Sequence, residues 1–443
     1  MLKANLKIIS ALKNYLNLVS NNAELKRQFC SSDKDFTRNR KLPFDKTVLF
    51  IIKLCKKSLS IEIENFFDEL QSTVSCSVAA FSLQRIKLDP FFFKAWNFVL
   101  CTNFYNEYKN KVKRWKKFRL ISCDGSSISL INSGSIKTFF GGQNNQKTSS
   151  ILAKTFYCFD VLNKMILFPC IAPYRYGEFQ MACDIIDSGV LQKDMLLILD
   201  RYYGNYKIAA LLLFNEQEIK YVIRVNESYA FAKKFIASKK MSAVIEIFPS
   251  HNSIKSLNDQ GYKVTAKTGI KTRLIRVKLS TGKIEVLMTN LWEEEGYAHN
   301  EFKDLYAKRW GVETNIGFQK NILQLESFSG LTPISVIQDF YATVFISNLH
   351  FLLTKPSQDI LDNQTANRKH PMQINNNKAH GKLKENIIQL FTMNEPKSIL
   401  LKLKIYFLKT PLPVRLNRHY PRIRKSRQLN SKHRTFTNYK PAY

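Results

Sequence analysis

Apolar residues recur at three- and four-residue steps through the first quarter of the chain, the period of a helix with one buried face. From Met1 to Leu18 they are interspersed with Lys3, Lys7 and Lys13, an amphipathic helix rather than an uninterrupted apolar leader. After Leu42-Pro43-Phe44 the same period returns at Val48, Ile51, Ile52 and Cys55. A polar break at Ser72-Thr73-Val74-Ser75 precedes a second helical run, Ala79 through Leu83, Ile86 and Leu88, which stops before Pro90. Two short helices around a polar turn, with Arg85 and Lys87 on the second, fit a helix-turn-helix that reads DNA. They fit an ordinary helical packing unit equally well.

The period changes at Phe118. Phe118–Cys123 is a short apolar run ending in Asp124-Gly125-Ser126, a strand followed by a turn. Ile151–Val161 and Ile166–Ile171 predict a hairpin around Asn163-Lys164. Met195–Leu199 is fully apolar and Asp200 ends it; Tyr206–Phe214 is helical again. Strands alternating with helices predict a mixed α/β sheet covered by helices. Between about 215 and 299 the pattern is strand-like at Lys220–Val225, Ser242–Phe248, Tyr262–Thr265, Thr272–Leu279 and Ile284–Thr289, which reads as a β-rich insertion. Helical periodicity resumes at His299 and again over Val336–Leu353, and the polar, Asn-rich residues 354–380 read as a loop. The expected organisation is therefore a helical domain over 1–116, an α/β domain over 117–353 that contains the β-rich insertion, and a C-terminal loop, helix and basic tail over 354–443.

Composition sharpens this picture. Lys and Arg number 68 against 35 Asp and Glu, a net charge of +33. Such self-repulsion is relieved by a polyanion, most commonly a phosphate backbone whose counterions are released on binding. No Asp or Glu follows Glu395, so the tail after Pro411 is an uncompensated basic arm. The eight cysteines show no paired spacing, which excludes a zinc cluster or disulfide framework and points to free thiols in a cytoplasmic protein. The best candidate for a membrane span, Phe340–Leu353, is interrupted by Asn348 and His350, so no membrane partner is expected.

Three acids stand apart. Asp124 and Asp200 each close an apolar strand, where an open α/β sheet presents its ligand crevice; an Asp there also starts turns and caps helices without any catalytic role. The third is on the segment Tyr306–Lys320, read as one helix. At about 100° per residue Tyr306, Arg309, Glu313 and Lys320 fall within roughly 60° of one another, beside an apolar stripe of Leu305, Val312, Ile316 and Leu323. An exposed face with an Arg309–Glu313 pair would account for part of that line. Trp310 beside it is either core or a stacking platform for a displaced base.

The spacing Tyr-x2-Arg-x3-Glu-x6-Lys, met in full at Tyr306, Arg309, Glu313 and Lys320, resembles the signature of bacterial insertion-sequence transposases of the insertion sequence four family. Asp124-Gly125-Ser126 resembles that family's first acidic motif, and Leu199-Asp200-Arg201-Tyr202-Tyr203-Gly204 its second, with Tyr203 where many members carry Phe or a smaller residue. Leu287–Leu291, Ser329-Gly330 and Asp339-Phe340-Tyr341-Ala342 through Asn348-Leu349 resemble the segments flanking the third, and the likeness runs from about residue 40 to 435. The resemblance implies an RNase H-like catalytic domain with a strand insertion. It implies two Mg²⁺ or Mn²⁺ ions held by Asp124, Asp200 and Glu313, a pattern suited to hard cations and to phosphoryl displacement. Tyr306, Arg309 and Lys320 would then contact DNA phosphates. The partners so implied are double-stranded transposon ends and target DNA, engaged by a homodimer at the bacterial nucleoid. A nuclease without strand transfer and a non-catalytic DNA-binding descendant are the competing expectations.

Overall fold

The computed structural model describes residues 1–38, 40–54, 56–145 and 148–415. Nine strands form one sheet: β1 Arg119–Ser129, β2 Gly142–Asn145, β3 Thr148–Asp160, β4 Met165–Pro173, β5 Met195–Leu199, β6 Lys220–Arg224, β7 Ser242–Ile247, β8 Ile270–Lys278 and β9 Ile284–Thr289. Its order is β2-β3-β1-β5-β6-β9-β8-β7, with β4 on β3 beside β2. β3 is antiparallel to β1 and β4 to β3, whereas β5 and β6 run parallel to β1. This is the mixed α/β sheet expected, flanked by helices from both ends of the chain.

The segment 215–299 differs in detail from the expectation. Its strands lengthen the same sheet: β9 pairs with β6, β8 with β9 and β7 with β8, all antiparallel. Two helices interrupt them, Ala230–Ala237 and His251–Asn258, and Tyr262–Thr265 is not a strand. Residues 354–380 are also not one loop. The helix Pro333–Gln364 continues through Pro356, and a second helix begins at Asn376. Polar composition hid this because Thr354, Ser357 and Leu361 are buried, so tertiary packing holds a turn that propensity alone would not.

Pro333–Gln364 is long and apolar enough by composition to cross a membrane, but most of that apolar stretch is buried inside the protein, as a core helix. Trp96 from the helix Phe91–Glu107 stacks on its Phe345 at 4.1 Å. Asn348, the residue that breaks the apolar run, accepts from the Ile166 N–H at 2.8 Å and donates to the Ile166 carbonyl at 2.8 Å. The β3–β4 register shifts at Cys158/Phe159, and Asn348 supplies the backbone partners Ile166 needs. The seven described cysteines are free. The basic tail expected to meet DNA lies, beyond Arg415, outside the described residues, and so does Cys55.

Of the two roles open to Arg85, the structure gives it the packing one. Its side chain is buried, with Nη2 2.9 Å from Asp339 Oδ1, Nε 2.9 Å from Gln338 Oε1 and Nη1 2.8 Å from Ser329 Oγ. A guanidinium so enclosed fastens the helix Val78–Arg85 to Pro333–Gln364 and cannot reach a phosphate. Burial pushes the Asp339 carboxyl up, but Lys56, Arg85 and the Ser329 hydrogen bonds hold it below the usual range.

Candidate active site

Alternation along β1 and β5 decides where the acids point. Ile121, Cys123, Leu197 and Leu199 face one core, while Leu120, Leu196 and Ile198 face another, shared with Phe302, Leu305 and Tyr306. Side chains two residues apart share a face, so Asp124 and Asp200 continue the second face, toward the helices after His299. The parallel register sets Ser122 beside Ile198; two residues on, Asp124 stands level with Asp200. Asp124 is not a strand end as expected. β1 runs on to Ser129 because β3 pairs with it as far as Ser129↔Leu152. What ends there is β5, whose last residue is Leu199, next to Asp200.

Close approach of backbone demands glycine at Gly204, whereas Gly125 meets the far end of a flexible side chain. A Cβ on Gly204 would lie 2.3 Å from the Arg224 carbonyl oxygen. One on Gly125 would lie 2.4 Å from Glu178 Cδ. Glu178, in the first turn of the helix Glu178–Asp187 and 2.8 Å from Lys154 Nζ, is thus a fourth carboxylate at the site. Nothing in its spacing marks it in the sequence; only folding brings it over Gly125.

The segment Tyr306–Lys320 is two helices, Phe302–Ala307 and Trp310–Asn321, not one. Around the junction, backbone bonds run three residues back, from Lys308 to Leu305, Arg309 to Tyr306, Gly311 to Lys308 and Val312 to Arg309. This tighter step turns the chain further per residue than an α-helix, and Gly311 lies against Val161. Leu305, Val312 and Leu323 are buried as their stripe requires, with Ile316 packed at its margin.

The expected line is consequently divided. Tyr306 is buried against the sheet, and among the described residues its hydroxyl has no partner. Arg309, 6% exposed, bonds Glu313 Oε1 through Nη2 at 2.7 Å, and its buried Nε has no partner among the described residues. Its guanidinium lies 5.1 Å from the Trp310 ring centroid. Trp310 itself is 54% exposed, so it is a surface platform and not core. Lys320 Nζ donates to the Ser127 carbonyl at 2.7 Å and lies 3.7 Å from Glu326 Oε1. Glu326 accepts from the Ser129 N–H at 3.0 Å.

Arg309 is the charge the acids share. It favours the anion of Asp124, and the charges of Glu313 and Asp200 in turn favour its own charged form. Burial nevertheless pushes Asp124 up to about 6, against the Gly125 N–H and Arg309, and with help from the charges of Glu313 and Glu178. Burial, then the Asp124 and Glu178 charges, pushes the Tyr203 hydroxyl far up. Among the described residues no three acid, His or Cys side chains are grouped closely enough to hold a metal. The donors are still of the right kind: hard carboxylate oxygens, one of them dehydrated and opposed by two like charges, an environment a divalent cation would relieve.

Comparison with curated proteins finds no match. Among solved structures the chain is similar to a cryo-EM structure of the piggyBac transposase synaptic complex with hairpin DNA. The identity is 11% and the TM-score 0.41, covering 92% of this chain and 81% of that one. The family model for the transposase DDE domain matches residues 114–349. That span is more than half of the sequence and holds Asp124, Asp200 and Glu313 together with the strands and helices that present them. The chain therefore belongs to the transposase DDE-domain family.

Proposed function

We propose that this chain is an insertion-sequence transposase that binds the terminal inverted repeats of its element, cuts the strand there and joins it to target DNA. What supports this reading is the match of the transposase DDE domain over residues 114–349, within which Arg309 bonds Glu313 and interacts through its charge with Asp124 and Asp200. Asp124, Asp200 and Glu313 are the acids proposed to act. Two Mg²⁺ or Mn²⁺ ions bound by these carboxylates would activate a water or 3′-hydroxyl and stabilise the leaving oxygen.

The protein's own groups do the positioning. Arg309, buried and bonded to Glu313 beside Trp310, holds that carboxylate in place. Lys320 places a charge at the far end of the same helix, and the exposed Trp310 ring can receive an unstacked base. Tyr306 orders Arg309 from beneath, with Arg309 Cζ 5.8 Å from its ring centroid. In this reading the protein works as a homodimer on double-stranded DNA at the bacterial nucleoid, and belongs with the insertion sequence four group.

Incubating the full chain with Mg²⁺ and a duplex bearing the DNA that flanks its gene tests the proposal. Cleavage at the repeat boundary, followed by joining of the 3′-hydroxyl end to a second duplex, is expected. Cleavage with no joining, even from pre-cut ends, would make the protein a nuclease instead.

A further inference from the structure

A second charged surface lies away from the acids, on the segment joining the helix Phe91–Glu107 to β1. Residues 109–119 carry seven Lys or Arg and no acid. Three of the seven have acidic partners: Arg114 and Arg119 meet Asp194 at 2.8 and 2.6 Å, and Lys116 meets Glu301 at 2.7 Å. Lys109, Lys111, Lys113 and Lys117 are exposed, and among the described residues no acid forms an ion pair with them.

This surface is built and not merely a string of lysines. Asn163 Oδ1 accepts from the Lys113 N–H at 2.9 Å and its Nδ2 donates to the Lys113 carbonyl at 3.0 Å. Asn163 is in turn held by Asp160 at 2.9 Å. Trp115 and Phe118 exchange two backbone bonds of 2.9 Å. Two further cations come from other elements: Lys164 from the β3–β4 turn, 5.5 Å from the Phe351 ring centroid, and Lys355 from Pro333–Gln364. Dehydration and the Lys113 charge lower the Lys164 ammonium. Burial, with Lys113 and Lys111, lowers that of Lys355, although Asp362 opposes at the first and Asp359 at the second.

We propose that Lys109, Lys111, Lys113 and Lys117, with Lys164 and Lys355 beside them, form a second DNA-contact surface that grips the phosphate backbone of duplex away from the cutting site. The proposal rests on the reading that the chain acts on DNA. The surface lies at the start of β1, whose Ile121 pairs with Asp160, and the acid Asp124 is about 16 Å further along the strand. Crowded cations on a pinned backbone are favourable only beside a polyanion. Lysines present point charges without the fork geometry that reads bases, so the contact is to phosphate and independent of sequence. A second copy of this chain is a poor alternative occupant, since its own net charge is +33.

The test uses the full chain and a duplex of random sequence, with binding measured across a salt series. Wild type is compared with K109Q/K111Q/K113Q/K117Q and with the same four positions changed to Arg. The Gln variant is expected to bind at least tenfold more weakly at low salt. Its slope of log affinity on log salt should be shallower by about 2–4, near 0.9 for each phosphate lost. The Arg variant should keep the wild-type slope. A wild-type slope in the Gln variant overturns the proposal and leaves the DNA reading standing, as does an unchanged slope with an altered sedimentation coefficient, which would make this a contact between copies. Failure of wild type to bind duplex at all overturns both. Should the quadruple Gln variant lose its folding transition, K111Q/K113Q carries the same test at half the change in slope.

Discussion

Asp124 holds its proton to about 6, against an ordinary 3.8, because it is buried and faces Glu313 and Glu178. The unfolded chain releases that proton near 3.8 and the folded chain only near 6, so stability falls as pH rises through that window and stays lowered above it. Asp124→Asn carries no such charge. It should melt a few degrees higher than the parent at about pH 8 without divalent ions, with the advantage shrinking toward about pH 5. A melting difference that does not change with pH would contradict the account. Lys320→Ala acts differently, since it removes a cation that bonds the Ser127 carbonyl at the far end of the helix from Glu313. It should weaken complex assembly on DNA and reduce cleavage several-fold without abolishing it, read by gel shift beside a cleavage assay. The spacing of residues made these positions visible, but not the burial of Tyr306 and Arg309. That burial depends on the three-residue bonding steps at Lys308–Val312, which a uniform helical wheel does not contain. Glu178 was invisible for a related reason. It reaches Asp124 through the absent side chain of Gly125, a relation between two strangers in sequence.

At the level of elements, the strands near the acids were legible because β5 is buried on both faces and so apolar throughout, with burial unbroken from Met195 to Leu199. The helices Ala230–Ala237 and His251–Asn258 were not, because each is eight residues with few buried positions, too short for its period to stand out. The helix Val78–Arg85 was legible as a helix, but its sequence left DNA reading and ordinary packing equally open. Surface and core arginines look alike in a sequence, and only Asp339, Gln338 and Ser329 from far along the chain identify Arg85 as internal. Removing one member of a buried pair leaves the other charge uncompensated. Arg85→Ala should therefore destabilise the fold by about 3–5 kcal/mol. Its salt slope for DNA binding, measured where the variant remains folded, should match wild type. Denaturant unfolding checks the first statement; a shallower slope would restore Arg85 to the DNA surface.

Across the whole molecule, helices from the first and last parts of the chain share one core with one face of the sheet, and positive charge is distributed over several surfaces. Residues 416–443 carry eight Lys or Arg and no acid. Ending the chain at Arg415 spares the pairing of Leu412-Pro413 with Met372-Gln373. That truncation should flatten the salt dependence of DNA binding by several units while leaving the melting temperature nearly unchanged; an unchanged slope would assign the tail to another partner.

The central claim, however, concerns the acids, and Glu313 is its most exposed member. Glu313→Gln keeps the side chain's size and its hydrogen bond from Arg309 but removes the charge a metal would need. The decisive measurement is cleavage of end-bearing duplex with Mg²⁺, run beside a gel shift on the same fragment for wild type and Glu313→Gln. The account predicts that the variant binds the fragment within a few-fold of wild type and loses cleavage by at least a thousandfold, about 4 kcal/mol of barrier. Cleavage at the wild-type rate would show that Glu313 is not among the acids that act, and that the grouping of Asp124, Asp200 and Glu313 around Arg309 is structural.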